Sequence, residues 1–409
     1  MEKPTKRKIA IVTSTRADWG LLRDIAGTLR GSGKAEVSII ATNMHLNPSY
    51  GMTVDEIVAD GFDIAARVEM ASASDSPADT ARAAAQCMHG MADAFESILP
   101  DMLLILGDRY EMLAVATAAT IMRIPIVHIA GGEISEGAFD DCIRHAITKL
   151  SSLHLTATEP YRNRVIAMGE DSSRVINTGA IGVNNLTREP IMPKEELERS
   201  IGLAITPGTL LVTLHPATLD AAPVEKRCRD MLAAFDRFPQ SHIIFTYPNN
   251  DPDGKVIIDL IERYTACNPG RAVVVPSLGR KRYLSALHYV SAVVGNSSSG
   301  IVEVPSMHIP TVDIGIRQQG RIASESVIHC DADTESIATA IATALSPDGR
   351  KIAREAGNPY FKSDTLRLIV DAILSTPIET LRTKRFIDPY PMDSQHAAGI
   401  HTPPYTECE

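Results

Sequence analysis

An apolar run, Ala292-Val293-Val294, ends in Gly295-Asn296-Ser297-Ser298-Ser299-Gly300, with Glu303 just behind. Ser297 or Ser298 can cap a following helix, and the free N–H groups of a helix start favour an anion. Gly295 and Gly300 let backbone come close to a ligand. Glu303 can accept hydrogen bonds from a ribose diol. The same residues also fit a plain helix cap with a solvated Glu.

Other clusters carry comparable chemistry. "TSTRAD" (13–18) offers Arg16 to a phosphate, or to Asp18 as a surface pair. It lacks G-x-G-x-x-G, so NAD is not supported. "NMHL" holds His45, a candidate catalytic group or a hydrogen-bonded packing histidine. "LGDRYE" gives Asp108, Arg109 and Glu111 after a fully apolar run. "HIAGGE" gives His128 and Glu133 around a Gly pair, and "EGAFDDCIRHAITK" gives Asp140, Asp141, Arg144 and His145. Arg144 follows the two aspartates by four and three positions, so a helix would pair them. These acidic clusters are candidates for general acid and base work. Carboxylates also suit Mg²⁺, but no tight Asp-x-Asp motif appears. His215 in "LHPAT" and Arg317 in "GIRQ" are candidates to face phosphate oxygens. Ser-His-Asp hydrolysis finds no G-x-S-x-G elbow.

Elements that position these groups follow from the apolar runs. Strands are expected over 8–14, 36–42, 102–107, 124–129, 153–157 and 175–178. A second series covers 209–214, 242–247, 272–275, 292–294, 310–314 and 326–329. The runs are near-continuously apolar, as in strands covered on both faces. Their alternation with Ala-rich helical segments predicts parallel α/β sheets. Nearly every predicted strand ends in a polar cluster, which is where ligands bind in such sheets. A charged stretch over 184–207, with Pro190, Pro193 and Pro207, reads as a linker. The expected fold class is therefore α/β, with two Rossmann-like domains facing a cleft. The domains are placed at 1–185 and 205–365. A C-terminal helix over 366–409 returns toward the first domain and ends in a Pro-rich tail.

Bulk properties narrow the class. The chain has 409 residues, formal net charge -10, 44% hydrophobic and 5% aromatic residues. The acidic balance and one Trp argue against a nucleic-acid surface. No apolar run approaches the ~20 residues of a membrane span, and the N-terminus does not read as a signal peptide. Six scattered cysteines form no CxxC pair, so neither zinc nor a disulfide framework is suggested and a cytoplasmic setting fits.

Taken in order, "TSTRADWGLL", "MHLNPSYG", "GDRYEMLA", "HIAGGEISEGAFDDCIRHAITKLS", "LHPAT", "PNNDPDG", "SLGRKRYLSAL", "GNSSSGIVE" and "GIRQQGR" resemble one family across residues 8–373. It is that of the hydrolysing UDP-N-acetylglucosamine 2-epimerases, with relatives serving sialic and legionaminic acid synthesis. The resemblance implies a glycosyltransferase-B-like architecture and a homodimer or homotetramer. It implies no metal, no NAD and no other cofactor. The implied reaction is anti elimination of UDP through 2-acetamidoglucal, then hydration to N-acetylmannosamine. Arg16, His215, Asn296, Ser297, Ser298, Glu303 and Arg317 map to the UDP site, and Ser277 and Leu278 to uracil. Asp108, Glu133, Asp140 and Asp141 map to the acid–base set, joined by His45. Some relatives carry a carboxylate where this chain has Ala130, so Glu133 is expected to take over. Rival readings are a UDP-2,4-diacetamido-trideoxyhexose substrate, a non-hydrolysing epimerase, a glycosyltransferase and a nucleotide-sugar sensor.

Overall fold

The computed structural model describes residues 6–70, 76–186, 190–217, 219–249 and 253–388. Thirteen strands among them build two sheets. The first contains β1 (Arg7–Thr13), β2 (Ala35–Thr42), β3 (Ile64–Val68), β4 (Met102–Leu106), β5 (Ile126–Ile129), β6 (Leu153–Thr156) and β7 (Val175–Asn177). Its spatial order is β3-β2-β1-β4-β5-β6-β7. The second contains β8 (Leu210–Thr213), β9 (Ile243–Thr246), β10 (Ala272–Val275), β11 (Ala292–Gly295), β12 (Thr311–Ile314) and β13 (Val327–Cys330). Its order is β10-β9-β8-β11-β12-β13. All pairings are parallel.

Both orders reverse direction once. The reversal lies between β1 and β4 in the first sheet and between β8 and β11 in the second. At such a switch point the loops leave to opposite faces and open a crevice at the carboxyl ends of the strands. Those four loops carry Arg16, Asp108, His215 and Ser297.

The core confirms why the strands are apolar throughout. Ile9 and Ile11 of β1 join one cluster beneath the helix Arg16–Gly31, while Ala10 and Val12 join another. Each strand thus buries both faces. β3, IAARV, escaped the apolar template. It is an edge strand whose residues alternate between exposed and half-buried, and its pairing with β2 shifts register at Ile39/Ile40.

The 184–207 stretch is more than a connector. It contains the helix Lys194–Ile201, whose Leu197 and Ile201 pack with Leu278, Leu284 and Leu287 of the second domain. Only one stripe of that helix is apolar, so its charge conceals it in sequence. The helix Thr365–Ser375 packs Leu366, Ile369 and Ile373 into the first domain's core. The chain then runs along that domain's back. Lys384 Nζ reaches Glu170 at 2.6 Å and Ile387 N donates to Gly169 O at 3.0 Å. The part of the expected Pro-rich tail beyond residue 388 lies outside the described residues.

Glu170 accepts from His154 Nε2 at 3.0 Å, Lys149 Nζ at 2.6 Å and Lys384 Nζ at 2.6 Å. Burial pushes this carboxyl up, but those bonds outweigh burial and bring it down to about 2. A depressed carboxyl contributes stability above its unfolded pKa and loses it as pH falls through the folded value. Glu170→Gln is therefore expected to cost roughly 1–3 kcal/mol at neutral pH. It should also flatten the loss of stability between about pH 4.5 and about pH 2. Urea melts across that window check both.

Candidate functional site

The two domains close on one cavity of about 460 Å³, lined by loops from both switch points. On the second-domain side, Asn296 clips the ends of β8 and β11 together. His215 N donates to Asn296 Oδ1 at 2.7 Å, and Asn296 Nδ2 donates to His215 O at 2.9 Å. Asn296 is thus buried behind the cavity, while His215, Ser297, Ser298, Glu303 and Arg317 line it. Ser277 and Leu278 line the same side at the end of β10.

His215 is fully enclosed. Burial, with Arg317 and Arg109 adding positive field, holds its imidazole well below the usual histidine range. Its Nδ1 accepts from Asn249 N at 3.2 Å. A neutral ring accepting at Nδ1 carries its proton on Nε2, so it can donate to an anion without titrating near neutral pH. Arg317 donates to Asn296 O at 3.1 Å, and Gln318 donates to the same oxygen at 2.8 Å. This anchors the guanidinium beside the Ser297–Ser298 helix start. Glu303 is bonded by Ser299 Oγ, and burial raises its carboxyl above the ordinary range despite that bond.

On the first-domain side, Thr15 and Asp18 form a reciprocal capping box at the start of the helix Arg16–Gly31. Asp18 also accepts from Ser14 Oγ at 2.7 Å, so it serves the turn and does not neutralise Arg16. Arg16 projects from the first helical position and donates to Pro276 O across the cleft at 3.1 Å. Nearby, Arg280 bonds Asp24 at 2.9 Å and Gly20 O at 3.1 Å, tying the same two walls.

Asp108, Glu133 and Asp140 line the cavity; Asp141 and His45 do not. Asp108 pairs with Arg144, which is almost fully buried and also bonds Ser135 Oγ at 3.0 Å. Asp141 accepts from Ser135 N at 2.6 Å and sits 3.6 Å from Arg144. Its place is behind the loop, holding the loop's turn. Glu133 pairs with Arg321 at 2.9 Å, both being 7% exposed. Burial raises its carboxyl, and the Arg321 charge opposes that shift.

The placement of His45 corrects the expectation that it joins the catalytic set. It is buried behind the wall, with Nε2 3.0 Å from Thr13 Oγ1 and Nδ1 2.8 Å from Thr53 Oγ1. Burial lowers it to about 4. It joins the end of β1 to the loop after β2. His128 has a similar setting: Nε2 donates to Gly107 O at 2.7 Å, and burial lowers the ring to about 3. Glu111 is also buried, accepting from Arg109 Nε at 2.7 Å and Asn43 Nδ2 at 2.9 Å. Ala130 lines the cavity with a φ of 67°, two residues after His128 and three before Glu133.

Two arginines escaped the sequence reading. Arg144 was legible as a helical partner of Asp140 and Asp141. Its nearest carboxylate instead comes from the loop after β4, a contact that no spacing on one helix reveals. Arg321 stands at the end of "GIRQQGR", and nothing local ties it to Glu133, 188 positions away. The arrangement gathers cationic and N–H donors at one end of the cavity and carboxylates at the other. That can hold a diphosphate and move protons on the group attached to it.

Two doubly wound parallel sheets meeting over a polar cleft define a glycosyltransferase-B-like class of two-domain protein. The family model described as UDP-N-acetylglucosamine 2-epimerase matches residues 28–374, and the chain belongs to that family as an enzyme. It is 37% identical to a Campylobacter jejuni protein named GDP/UDP-N,N'-diacetylbacillosamine 2-epimerase (hydrolyzing), over 80% of this chain and 85% of the relative. It is 34% identical to the Escherichia coli polysialic acid biosynthesis protein P7, over 90% of this chain and 95% of the relative. The crystal structure of UDP-GlcNAc 2-epimerase from Neisseria meningitidis bound to UDP-GlcNAc aligns with a TM-score of 0.74. That alignment covers 90% of this chain and all of the other at 16% identity, and shows the shared fold. Among the described residues no helix is long and apolar enough to cross a membrane.

Proposed function

We propose that this chain is a hydrolysing UDP-sugar 2-epimerase acting on a UDP-2-acetamido sugar. The observation that carries the reading is the single cavity. It joins Arg16, His215 and Arg317 at one end to Asp108, Glu133 and Asp140 at the other. In the proposed sequence a carboxylate takes the C2 proton and a C1–C2 double bond forms. The C1–oxygen bond breaks and its electron pair leaves with UDP. Water then adds its oxygen at C1, and a proton returns to C2 on the opposite face. The products are UDP and the free 2-epimeric sugar.

Arg16, His215 Nε2–H, Arg317 and the Ser297–Ser298 helix start receive the charge that develops on the leaving diphosphate. Glu303 takes the ribose, and the Ser277–Leu278 backbone takes uracil. Asp108, Glu133 and Asp140 share the proton transfers, while Asp141 and Asn296 position the loops behind them.

For the sugar, the sequence reading put UDP-N-acetylglucosamine first. The apolar stripe Leu106, Ile129, Ala130, Leu155 and Ala157 beside the carboxylates favours a sugar with a methyl at C6 and an acetamido group at C4. The name of the Campylobacter relative supports the same choice. We therefore place UDP-2,4-diacetamido-2,4,6-trideoxyglucose ahead of UDP-N-acetylglucosamine, with the product feeding sialic-acid-type sugar synthesis. The family likeness supports a homodimer or homotetramer, and the free described cysteines support a reducing cytoplasm.

Proton NMR of the purified protein in D₂O, with each UDP-sugar in turn, tests the reading. The expected result is UDP and free 2-epimer carrying deuterium at C2, with the larger kcat/KM for the trideoxy sugar. A larger value for UDP-N-acetylglucosamine would overturn the sugar assignment. A nucleotide-bound epimer, or two unchanged spectra, would overturn the hydrolysing activity.

A further inference from the structure

We propose that Arg321 is a positioning residue which the second domain extends into the first, fixing Glu133 as a carboxylate on the cavity wall. The inference rests on reading Glu133 as a proton-transfer group.

Arg321 ends the loop after β12. Its guanidinium lies 2.9 Å from Glu133 and 3.4 Å from Ser135 Oγ, and both charged side chains line the cavity. The loop that carries it is stapled to the first domain. Glu136 N donates to Gln319 O at 3.2 Å. Ile322 N donates to Tyr161 Oη at 3.0 Å, and Tyr360 Oη donates to Ile322 O at 2.8 Å. The two phenols bond each other at 2.8 Å. Gly137 completes the contact, since a Cβ there would fall 2.4 Å from Ile316 O. The backbone on both sides of Arg321 is thereby set before any ligand arrives.

The other end of the loop holds the nucleotide side. Arg317 and Gln318 both donate to Asn296 O, one residue before Ser297. One loop therefore touches the helix start assigned to the diphosphate and the carboxylate assigned to the sugar. The ionisable groups facing Glu133 are Arg321 from the second domain, Tyr161, and Tyr360 on the returning chain. Arg144 lies beyond Arg321 and repels it. Arg321 is thus the cation that keeps a buried Glu133 ionised; burial alone favours the neutral acid. A neutral acid cannot accept a proton, so a base at this position needs that charge.

Full-length wild type, Arg321→Gln and Arg321→Lys decide the matter. In protein labelled with ¹³C at glutamate carboxyls, the Glu133 signal is assigned by its loss in Glu133→Gln. Arg321→Gln should raise its titration midpoint by about one pH unit or more, and Arg321→Lys should restore most of the shift. With the turned-over sugar, Arg321→Gln should lower kcat about 100-fold while KM moves less than about threefold. The acid limb of the kcat profile should move to higher pH with the midpoint. Arg321→Lys should recover part of kcat, because it keeps the charge and loses the planar fork.

An unmoved Glu133 midpoint in Arg321→Gln would overturn the proposal. So would a KM rise at constant kcat. If Arg321→Gln does not fold, Arg321→Lys decides alone. A kcat about tenfold down at constant KM supports the proposal, and wild-type kcat overturns it. If wild type releases neither sugar, the proposed function fails, and the Glu133 titration still decides the role of Arg321.

Discussion

Asp108→Asn is expected to lower kcat by about 10²–10⁴-fold, the range lost when a positioned acid or base is removed. UDP affinity should change by less than about threefold, since the diphosphate ligands stand on other loops. The side chain is isosteric, and its remaining carbonyl oxygen can still accept from Arg144. Only the charge and the second acceptor oxygen disappear. Arg144 keeps Ser135 at 3.0 Å and Asp141 at 3.6 Å as partners. The mutant should therefore fold, with a lowered melting temperature from the weakened buried pair. Isothermal titration with UDP and steady-state kinetics on the same preparation separate binding from chemistry. If kcat stays within about threefold of wild type, Asp108 serves only as the counter-ion of Arg144.

How much of this site the sequence discloses depends on whether a group's partner is local. Strand ends are local. A continuous apolar run stops, and the next residues must sit at the carboxyl edge of a parallel strand. Arg16, Asp108, His215 and Ser297 were legible for that reason, and all four line the cavity. The edge strand β3 was not legible, because one face meets solvent and Ala and Arg interrupt the apolar run. The helix Lys194–Ile201 was hidden by its charge, since Leu197 and Ile201 alone mark its buried stripe.

Partnership across the chain is a different matter. His45 and Asp108 look alike in sequence, each a polar residue just past a strand. Their fates differ because Thr53 folds over His45 and bonds its Nδ1, whereas nothing folds over Asp108 except Arg144 from below. Asp140 and Asp141 are neighbours on one helix start, yet only Asp140 lines the cavity. Asp141 turns back to receive the Ser135 N–H. Helical phase separates the two, and phase is fixed by where the loop enters the helix. The Glu133–Arg321 pair is legible only once the two sheets are brought face to face.

Gly295→Ala is expected to unfold the second domain at much lower temperature than wild type. Gly295 closes β11 beside Thr213 of β8, at the switch point of the second sheet. Its φ is 136°, a backbone conformation that disfavours a side chain. A Cβ there would lie 1.9 Å from Thr213 O and 2.7 Å from Thr213 C. Those are backbone atoms of a central strand, so the neighbour cannot rotate away. The sheet must open, and the opening falls where Asn296 clips the two strand ends together. Strain of this kind costs roughly 3–5 kcal/mol, the range that marks a named structural defect. At about 2–4 °C per kcal/mol for a domain of this size, the transition should fall by roughly 8–15 °C. UDP should also bind more weakly, because His215 and Ser297 leave from the two strands forced apart. Gly31→Ala is the contrasting case. A Cβ there meets nothing within 4 Å. Alanine at the end of that helix should be neutral or stabilising by up to about 1 kcal/mol. Calorimetry on both variants, with and without UDP, reads the difference. If Gly295→Ala melts with wild type, the β8–β11 junction yields to a side chain, and its tightness does not hold the nucleotide loops in place.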